Sequence, residues 1–264
     1  MNVSINGVPE TMLMPLFARA ICTKKTPEVF SDPEALNIIE KLDYNFDNAE
    51  KDYAMNSGTI ARSIVFDDLA KQYIAAHPDC NVVNIACGLD ARFLRVDNGQ
   101  LHWYDLDLPE SIEVRKQLVP ERDRVTMIAC DATDPAWAEQ IEAKEKPTLV
   151  IVEGLSMYLT ADQNKAILKT IADNFPKAEV LYECVSDIWV HQEKVEKSIS
   201  KTGSKFLWGI KTADDIAALE PRLKVVENAN IIPGMEAQFG YYKFLGKLKL
   251  IKRITQRIGV LSTE

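Results

Sequence analysis

Residues 81–95 read NVVNIACGLDARFLR, and they decide the fold. Val82, Val83 and Ile85 make a short apolar run rich in β-branched side chains, which predicts a buried strand. Ala86, Cys87 and Gly88 are small, and Leu89, Phe93 and Leu94 then follow at helical spacing. Strand, tight turn and helix together form the opening unit of a doubly wound α/β domain. Gly88 has no Cβ, so a ligand can approach the backbone there closely. A helix starting at this point would turn its free N–H groups towards polar or anionic ligand groups. Taken alone the signal is weak. Ala86 stands where the first glycine of a G-x-G-x-x-G would be, and a tight turn without a ligand is the plain reading.

The next strand strengthens the ligand reading. The run LHWYDLD ends in acids, and Asp107 lies 107 − 88 = 19 residues after Gly88. An acid about 20 residues on, at the end of the second strand, is where a ribose diol is usually held. Asp107 also suits a cap for a helix over 109–118, and Asp105 is a competing acid on the same side of the strand. A third strand over Val125–Ala129 ends in Cys130-Asp131-Ala132, where Asp131 is either an adenine acceptor or the cap of a turn. The fourth, Thr148–Val152, is an uninterrupted apolar run suited to the centre of a parallel sheet. It leads directly into Glu153, with Tyr158 close behind. Thr160 and Gln163 then read as a capping box for a helix over 161–174. A fifth strand over Glu179–Cys184 carries Glu183 near its end, and Asp187 follows near the same edge. Leu223–Val226 and Ile258–Leu261 read as strands six and seven, with a short helix around Ile216–Leu219.

Residues 1–80 precede the first strand and read as helical. Met12, Leu13, Leu16, Phe17 and Ala20 make one stripe, and Asp32 precedes Pro33 as a helix cap. A long helix runs from about Ser57 to Ala76, ended by His77-Pro78. The domain reading is an N-terminal helical cap over 1–80 and a sheet domain over 81–264, with a charged lid insertion at about 186–212, all one structural unit. A chain of 264 residues can bury a sizeable core.

Charge and cysteine usage narrow the partners. The formal net charge of −8 counts against nucleic acid or an anionic membrane as the main partner. No apolar run approaches the roughly 18 residues of a membrane span, and the N-terminus lacks the features of a secretory signal. Five scattered cysteines with no C-x-x-C fit reduced thiols in a cytoplasm, not disulfides or a zinc site. His77, His102 and His191 are too dispersed for a metal cluster, so no metal is expected.

Four stretches in register carry a family resemblance: TMLMPLFARA at 11–20, NIACGLDAR at 84–92, DLDLP at 105–109 and EGLSMYL at 153–159. FLWGI at 206–210 adds to them. The chain resembles the leucine carboxyl methyltransferase superfamily, in particular its bacterial branch of polyketide-type O-methyltransferases. The resemblance implies a Rossmann-like class I methyltransferase fold. That fold has seven mostly parallel strands with one antiparallel, and helices on both faces. It also implies S-adenosylmethionine as methyl donor, S-adenosylhomocysteine as product and a small-molecule acceptor. By position, Gly88, with Ala86 beside it, would lie against the donor's methionine and ribose, and Asp107 rather than Asp105 would take the ribose hydroxyls. Asp131 and Ala132 would hold the adenine, Arg62 would pair with the donor carboxylate, Glu153 would face the methionine end, and Tyr158 would sit at the substrate mouth. Ala86 departs from the pattern; if the backbone there needs a positive φ, the alanine is strained.

A carboxylate acceptor needs no general base, because it is already ionised at neutral pH. A hydroxyl acceptor is helped by one, and His191, Tyr158, Glu183 and Asp187 are candidates of which none stands out. Two rival functions share the βα unit: a dinucleotide-dependent oxidoreductase, and a non-catalytic donor-binding protein. The missing G-x-G-x-x-G counts against the first. Oligomeric state and the identity of the acceptor are not written in the sequence.

Overall fold

The computed structural model describes residues 10–120, 122–190 and 205–264. Helices α1 (Glu10–Lys25), α2 (Pro33–Ile39), α3 (Asp47–Glu50) and α4 (Tyr53–Ala76) lead into β1 (Asn81–Ile85). Then come α5 (Phe93–Val96), β2 (His102–Asp107), α6 (Pro109–Leu118), β3 (Val125–Ala129), β4 (Thr148–Val152), α7 (Ala161–Asn174) and β5 (Ala178–Cys184). The chain closes with α8 (Asp214–Ala217), β6 (Lys224–Asn230), α9 (Ile232–Gln238), α10 (Tyr242–Leu245), α11 (Lys249–Ile254) and β7 (Arg257–Ser262). The strands form one seven-stranded sheet in the order β3-β2-β1-β4-β5-β7-β6. All are parallel except β7, which runs antiparallel to β5 and β6. The expected Rossmann-like arrangement is therefore observed.

β1 pairs with β2 on one side and β4 on the other, so the strand order reverses between β1 and β4. Ligands of open α/β sheets bind in the crevice outside the carboxyl ends at such a reversal. Both strands are buried along their whole length, as their apolar runs predict. Successive side chains alternate between two layers. Val83, Ile85, Val150 and Val152 pack with Ile167 and Ile171 of α7. Val82, Leu149 and Ile151 pack with Val65, Phe66 and Ala70 of α4.

α4 lies between the sheet and the N-terminal helices. Ala61 packs in the sheet layer, whereas Ile60 packs with Ala18 of α1 and with Phe30. On a third side α9 crosses so closely that a Cβ at Gly234 would overlap the Ala61 backbone. Arg62 is thereby clamped from several directions. Two predicted caps are present: Asp32 accepts from Ala35 N at 3.1 Å, and Thr160 and Gln163 form the reciprocal capping box. The third is not: Leu108 holds the N-cap position of α6 with no side-chain hydrogen bond, because Asp107 is turned to the Gly88 and Leu108 N–H groups.

One expectation fails. No helix begins at Gly88: residues 86–92 form a tight turn, and α5 starts only at Phe93. Asp90 N closes the turn on Cys87 O at 2.9 Å, Leu89 is buried among Leu13 and Leu16 of α1, and Asp90 and Arg92 enter an ion network. Those side-chain demands override the helical spacing, so no helix N-terminus faces the crevice at this point. Ala86 and Gly88 both have positive φ, +56° and +50°. The alanine therefore carries the strain anticipated for it, about 1–2 kcal/mol.

Candidate functional site

A cavity of ≈ 360 Å³ opens at the carboxyl ends of β1, β2 and β4, within the size range of small-molecule sites. Ala86 and Gly88 from the β1 turn, Asp107 from the end of β2 and Glu153 from the end of β4 all line it. Arg62 of α4 and Tyr158 complete the wall, with Met12 and Arg19 contributed by α1. Six of the eight sequence-predicted residues thus meet in one place. Asp131 and Ala132 sit at the end of β3, beside β2 in the sheet, but outside the cavity lining. Asp131 Oδ1 accepts from Thr133 N and Thr133 Oγ1, both at 2.8 Å, so it at least organises its own turn.

The two acids of β2 have separate fates. Asp105 is 1% exposed. It accepts from Arg115 Nη2 at 2.6 Å, Trp103 Nε1 at 2.8 Å and Asn84 Nδ2 at 3.2 Å. Arg115 in turn donates to Gly88 O at 2.9 Å, so Asp105 braces the turn from behind. Asp107 accepts one backbone N–H on each oxygen, from Gly88 at 2.7 Å and Leu108 at 2.8 Å. The Gly88 N–H expected to be free for a ligand is therefore taken by Asp107. Burial pushes the Asp107 carboxyl above its ordinary range, against those two N–H bonds, a hydrogen bond from the Ser111 hydroxyl and the nearby Arg115 charge, all of which favour the charged form.

Around Arg62 the charges are dense. Nε donates to Glu153 Oε1 at 2.7 Å and Nη1 to Glu183 Oε1 at 3.1 Å. The remaining nitrogen, Nη2, lies beside Gly154, where a Cβ would stand 3.9 Å from it. Burial opposes the Arg62 charge, but Glu183 and Glu153 outweigh it and hold the guanidinium protonated. Arg92 Nη2 takes the second oxygen of Glu153 at 2.6 Å, and its Nε takes Asp67 at 2.6 Å. Arg92 Nη1 is buried without a hydrogen bond, 3.2 Å from Asp90 Oδ2. Glu153 titrates below its usual range: burial works the other way, but Arg92 and Arg62 prevail. Glu183 titrates above, because it is fully buried and faces Glu153, with Arg62 only partly compensating.

Sequence reasoning missed most of this network. Arg92 stands in the opening stretch but had no assigned role. Glu183 had been a candidate base; instead it clamps Arg62 and accepts from Gly154 N at 2.6 Å, and it does not line the cavity. Asp187, another candidate, pairs with Arg253 at 3.0 Å. His191 lies outside the described residues, as do residues 191–204 of the lid insertion. Of its described parts, 186–190 and 205–212, Phe206 and Leu207 lie against the loop after β4. Leu207 N donates to Met157 O at 2.7 Å, and the Phe206 ring centroid is 5.7 Å from that of Tyr158. Burial raises the Tyr158 hydroxyl pKa above its usual value, with Arg62 opposing and Glu183 adding to the rise.

The family model for leucine carboxyl methyltransferases matches residues 12–172, which include every predicted site residue. The chain belongs to this family. It is similar to the tetracenomycin polyketide synthesis O-methyltransferase TcmP of Streptomyces glaucescens, at 31% identity over 88% of this chain and 86% of that protein. It is also similar to the S-adenosyl-L-methionine-dependent methyltransferase dpfgK of Gibberella zeae, at 27% identity over 92% of this chain and 89% of that one. Among solved structures, a Thermobifida fusca protein assigned as a methyltransferase shares the fold, with TM-score 0.61, 14% identity and coverage of 98% and 99% of the two chains. This leucine carboxyl methyltransferase family member is an S-adenosylmethionine-dependent methyltransferase.

The family's cofactor can be tested against the geometry of this chain. A donor with a carboxylate, an ammonium and a ribose needs a cation, an anion and a hydroxyl acceptor along one cleft. Arg62 Nη2, Glu153 and Asp107 supply those three kinds of group around one cavity. The buried Arg92 Nη1 adds an unused donor. The residues present fit the group.

Proposed function

We propose that this methyltransferase transfers the donor methyl to an oxygen of a small molecule held at the Tyr158 end of the cleft. The convergence of Arg62, Gly88, Asp107 and Glu153 with Tyr158 on one cavity carries this reading. The oxygen acceptor follows the likeness to TcmP, whose name describes an O-methyltransferase.

In this reading Asp107 accepts from the ribose diol, because the Gly88 and Leu108 N–H groups and the Ser111 hydroxyl take three of its roughly four lone-pair sites and leave one for a ribose hydroxyl. Arg62 Nη2 donates to the donor carboxylate, and Glu153 accepts from the ammonium despite its two arginine partners. Gly88 and Ala86 offer a low wall along the methionine and ribose. Asp131 and Ala132 receive the adenine beyond the cavity's present edge. When bound, S-adenosylmethionine supplies a sulfonium methyl already activated for in-line displacement. The protein's work is to hold the acceptor oxygen about 3 Å from that carbon, opposite sulfur, and to exclude water. Tyr158, Phe206 and Met12 form the apolar part of that enclosure.

Among the described residues, the acids that line the cavity are Asp90, Asp107 and Glu153, and each already accepts from, or is ion-paired with, the chain itself. Tyr158 is neutral at physiological pH. None of these described residues is a free base, and we infer that the acceptor oxygen arrives already ionised, as a carboxylate or an acidic phenol. Incubation with methyl-labelled donor and a panel of small carboxylic acids, phenols and aliphatic alcohols tests this. Label on the first two classes is the expected result. Label on alcohols alone would overturn the base-free mechanism, and labelled amines would overturn the oxygen acceptor.

A further inference from the structure

The whole-chain charge of −8 averages over an uneven distribution. Between Phe239 and Arg257 the chain carries Lys243, Lys247, Lys249, Lys252, Arg253 and Arg257 and no acidic residue. The same stretch holds Tyr241, Phe244, Leu245, Leu248 and Leu250, half of the exposed large apolar side chains among the described residues. Phe244 is 74% exposed and Leu250 69%. Monomeric proteins rarely present clustered apolar side chains without a partner for them.

This stretch lies at the catalytic edge of the sheet. Arg257 pairs with Cys184, the last residue of β5. Trp189 Nε1 donates to Ile254 O at 2.7 Å, and Arg253 holds Asp187. At the other end Gln238 Nε2 donates to Ser57 O of α4 at 2.9 Å, a little more than one turn before Arg62. The patch therefore adjoins the elements that present the cavity.

We propose that residues 239–257 are a peripheral attachment surface for a bilayer containing anionic lipid. Lysines interspersed with Phe, Tyr and Leu on short helices match an interfacial anchor, whose apolar side chains enter the headgroup boundary while the cations meet lipid phosphates. A symmetric contact with a second copy would set the exposed lysines Lys243, Lys247, Lys249 and Lys252 against their own copies. Residues 191–204 offer only Val195 and Ile199 as large apolar side chains, too few to cover five. Asp187, paired with Arg253, and Glu236, placed beside Gly246, offset part of this charge, and Lys243, Lys247, Lys249 and Lys252 remain as the cationic groups; screening over about 8 Å limits what more distant acids cancel. An amphipathic acceptor, its apolar body in that bilayer and its ionised oxygen at the headgroup boundary, would then lie next to the edge of the sheet that binds the donor.

Co-sedimentation of the full chain with phosphatidylcholine vesicles, with and without phosphatidylglycerol, tests the proposal. Binding should be at least about tenfold stronger with phosphatidylglycerol and should weaken at high salt. Phe244→Ser with Leu250→Ser, and separately Lys247→Glu with Lys249→Glu, should each reduce it roughly tenfold or more. Both pairs are exposed, so melting temperature and S-adenosylhomocysteine affinity should stay at wild-type values, which separates failure here from failure of the donor site. Equal binding to both vesicle types, or wild-type binding by the lysine variant, would overturn the proposal. So would capture on polyglutamate, or self-association abolished by the Phe244 and Leu250 changes, without vesicle binding.

Discussion

Replacing Asp107 by alanine should weaken donor-site binding while leaving the fold intact. Its carboxylate uses one lone pair on each oxygen for the Gly88 and Leu108 N–H groups, at 2.7 and 2.8 Å. The Ser111 hydroxyl takes a third lone pair, and the fourth is available to a ribose hydroxyl. A hydrogen bond to a charged group contributes roughly 1.5–3 kcal/mol. Loss of one such bond is about a 10- to 150-fold rise in Kd. The side chain is only partly buried and its two backbone donors sit on a solvent-reachable wall, so stability should change by no more than about 1 kcal/mol. Calorimetric titration with S-adenosylhomocysteine reads the effect directly. The pH profile gives an independent check. Burial raises the Asp107 pKa, and the ionised form is the better acceptor, so affinity should be full above that pKa and fall as pH drops through it. An Asp107→Asn variant should bind weakly and lose this acid limb. A folded Asp107→Ala protein that binds within about threefold of wild type would refute the assignment.

Further expectations concern the frame around the site. Asp105→Asn should lower stability, measured by urea unfolding, by about 2–4 kcal/mol through loss of the buried Arg115 pair, with donor affinity falling only as the turn loosens. Ala86→Gly removes the left-handed strain at φ +56° and should leave stability equal or up to about 1 kcal/mol higher, with tighter or unchanged donor binding. Gly234→Ala should destabilise the fold by at least about 3 kcal/mol, because the new methyl meets the Ala61 backbone and not a yielding side chain. Asp90 is partly buried, which opposes its charge, yet Arg92, Arg95 and Arg19 hold its carboxyl far below the usual range. A depressed pKa contributes stability that is complete above the unfolded value near 4 and is lost as pH falls below it. Urea midpoints at decreasing pH should therefore drop from about pH 4 downwards, and less steeply in Asp90→Asn.

The sheet was legible because its signals are local. Apolar β-branched runs bounded by turns marked the parallel strands to within a residue or two, and the two antiparallel partners at the end of the sheet were found but shortened. β6 is an exposed edge strand with a bulge between Val225 and Glu227, so its alternation is broken and only its first residues look like a strand. The turn after β1 was misread for a different reason. Leu89, Phe93 and Leu94 do have helical spacing, but Leu89 is claimed by the N-terminal helices and Arg92 by Asp67 and Glu153. Such demands come from residues far away in the chain, and periodicity within one segment does not contain them.

The same distinction explains the site. Glycine and the acids at strand ends carry position-specific signals, because strand ends must converge at one edge. The choice between Asp105 and Asp107 carries none, since both point to one side of β2. What separates them is Arg115, which reaches the inner acid and leaves the outer one to the cavity. Arg62 illustrates the point most fully. On helix α4 it reads as one more solvated arginine, yet two glutamates from adjacent parallel strands, 91 and 121 residues later, take two of its three nitrogens. A single buried guanidinium with one partner would be free to swing. Bound by Glu153 and Glu183 on different strands, with Glu153 itself fixed by Arg92, it can present only Nη2 to a ligand. The rigidity of the cationic end of this cleft is therefore a property of the β4–β5 register, and a change that slides those strands should disturb donor-carboxylate recognition before it disturbs anything at Asp107.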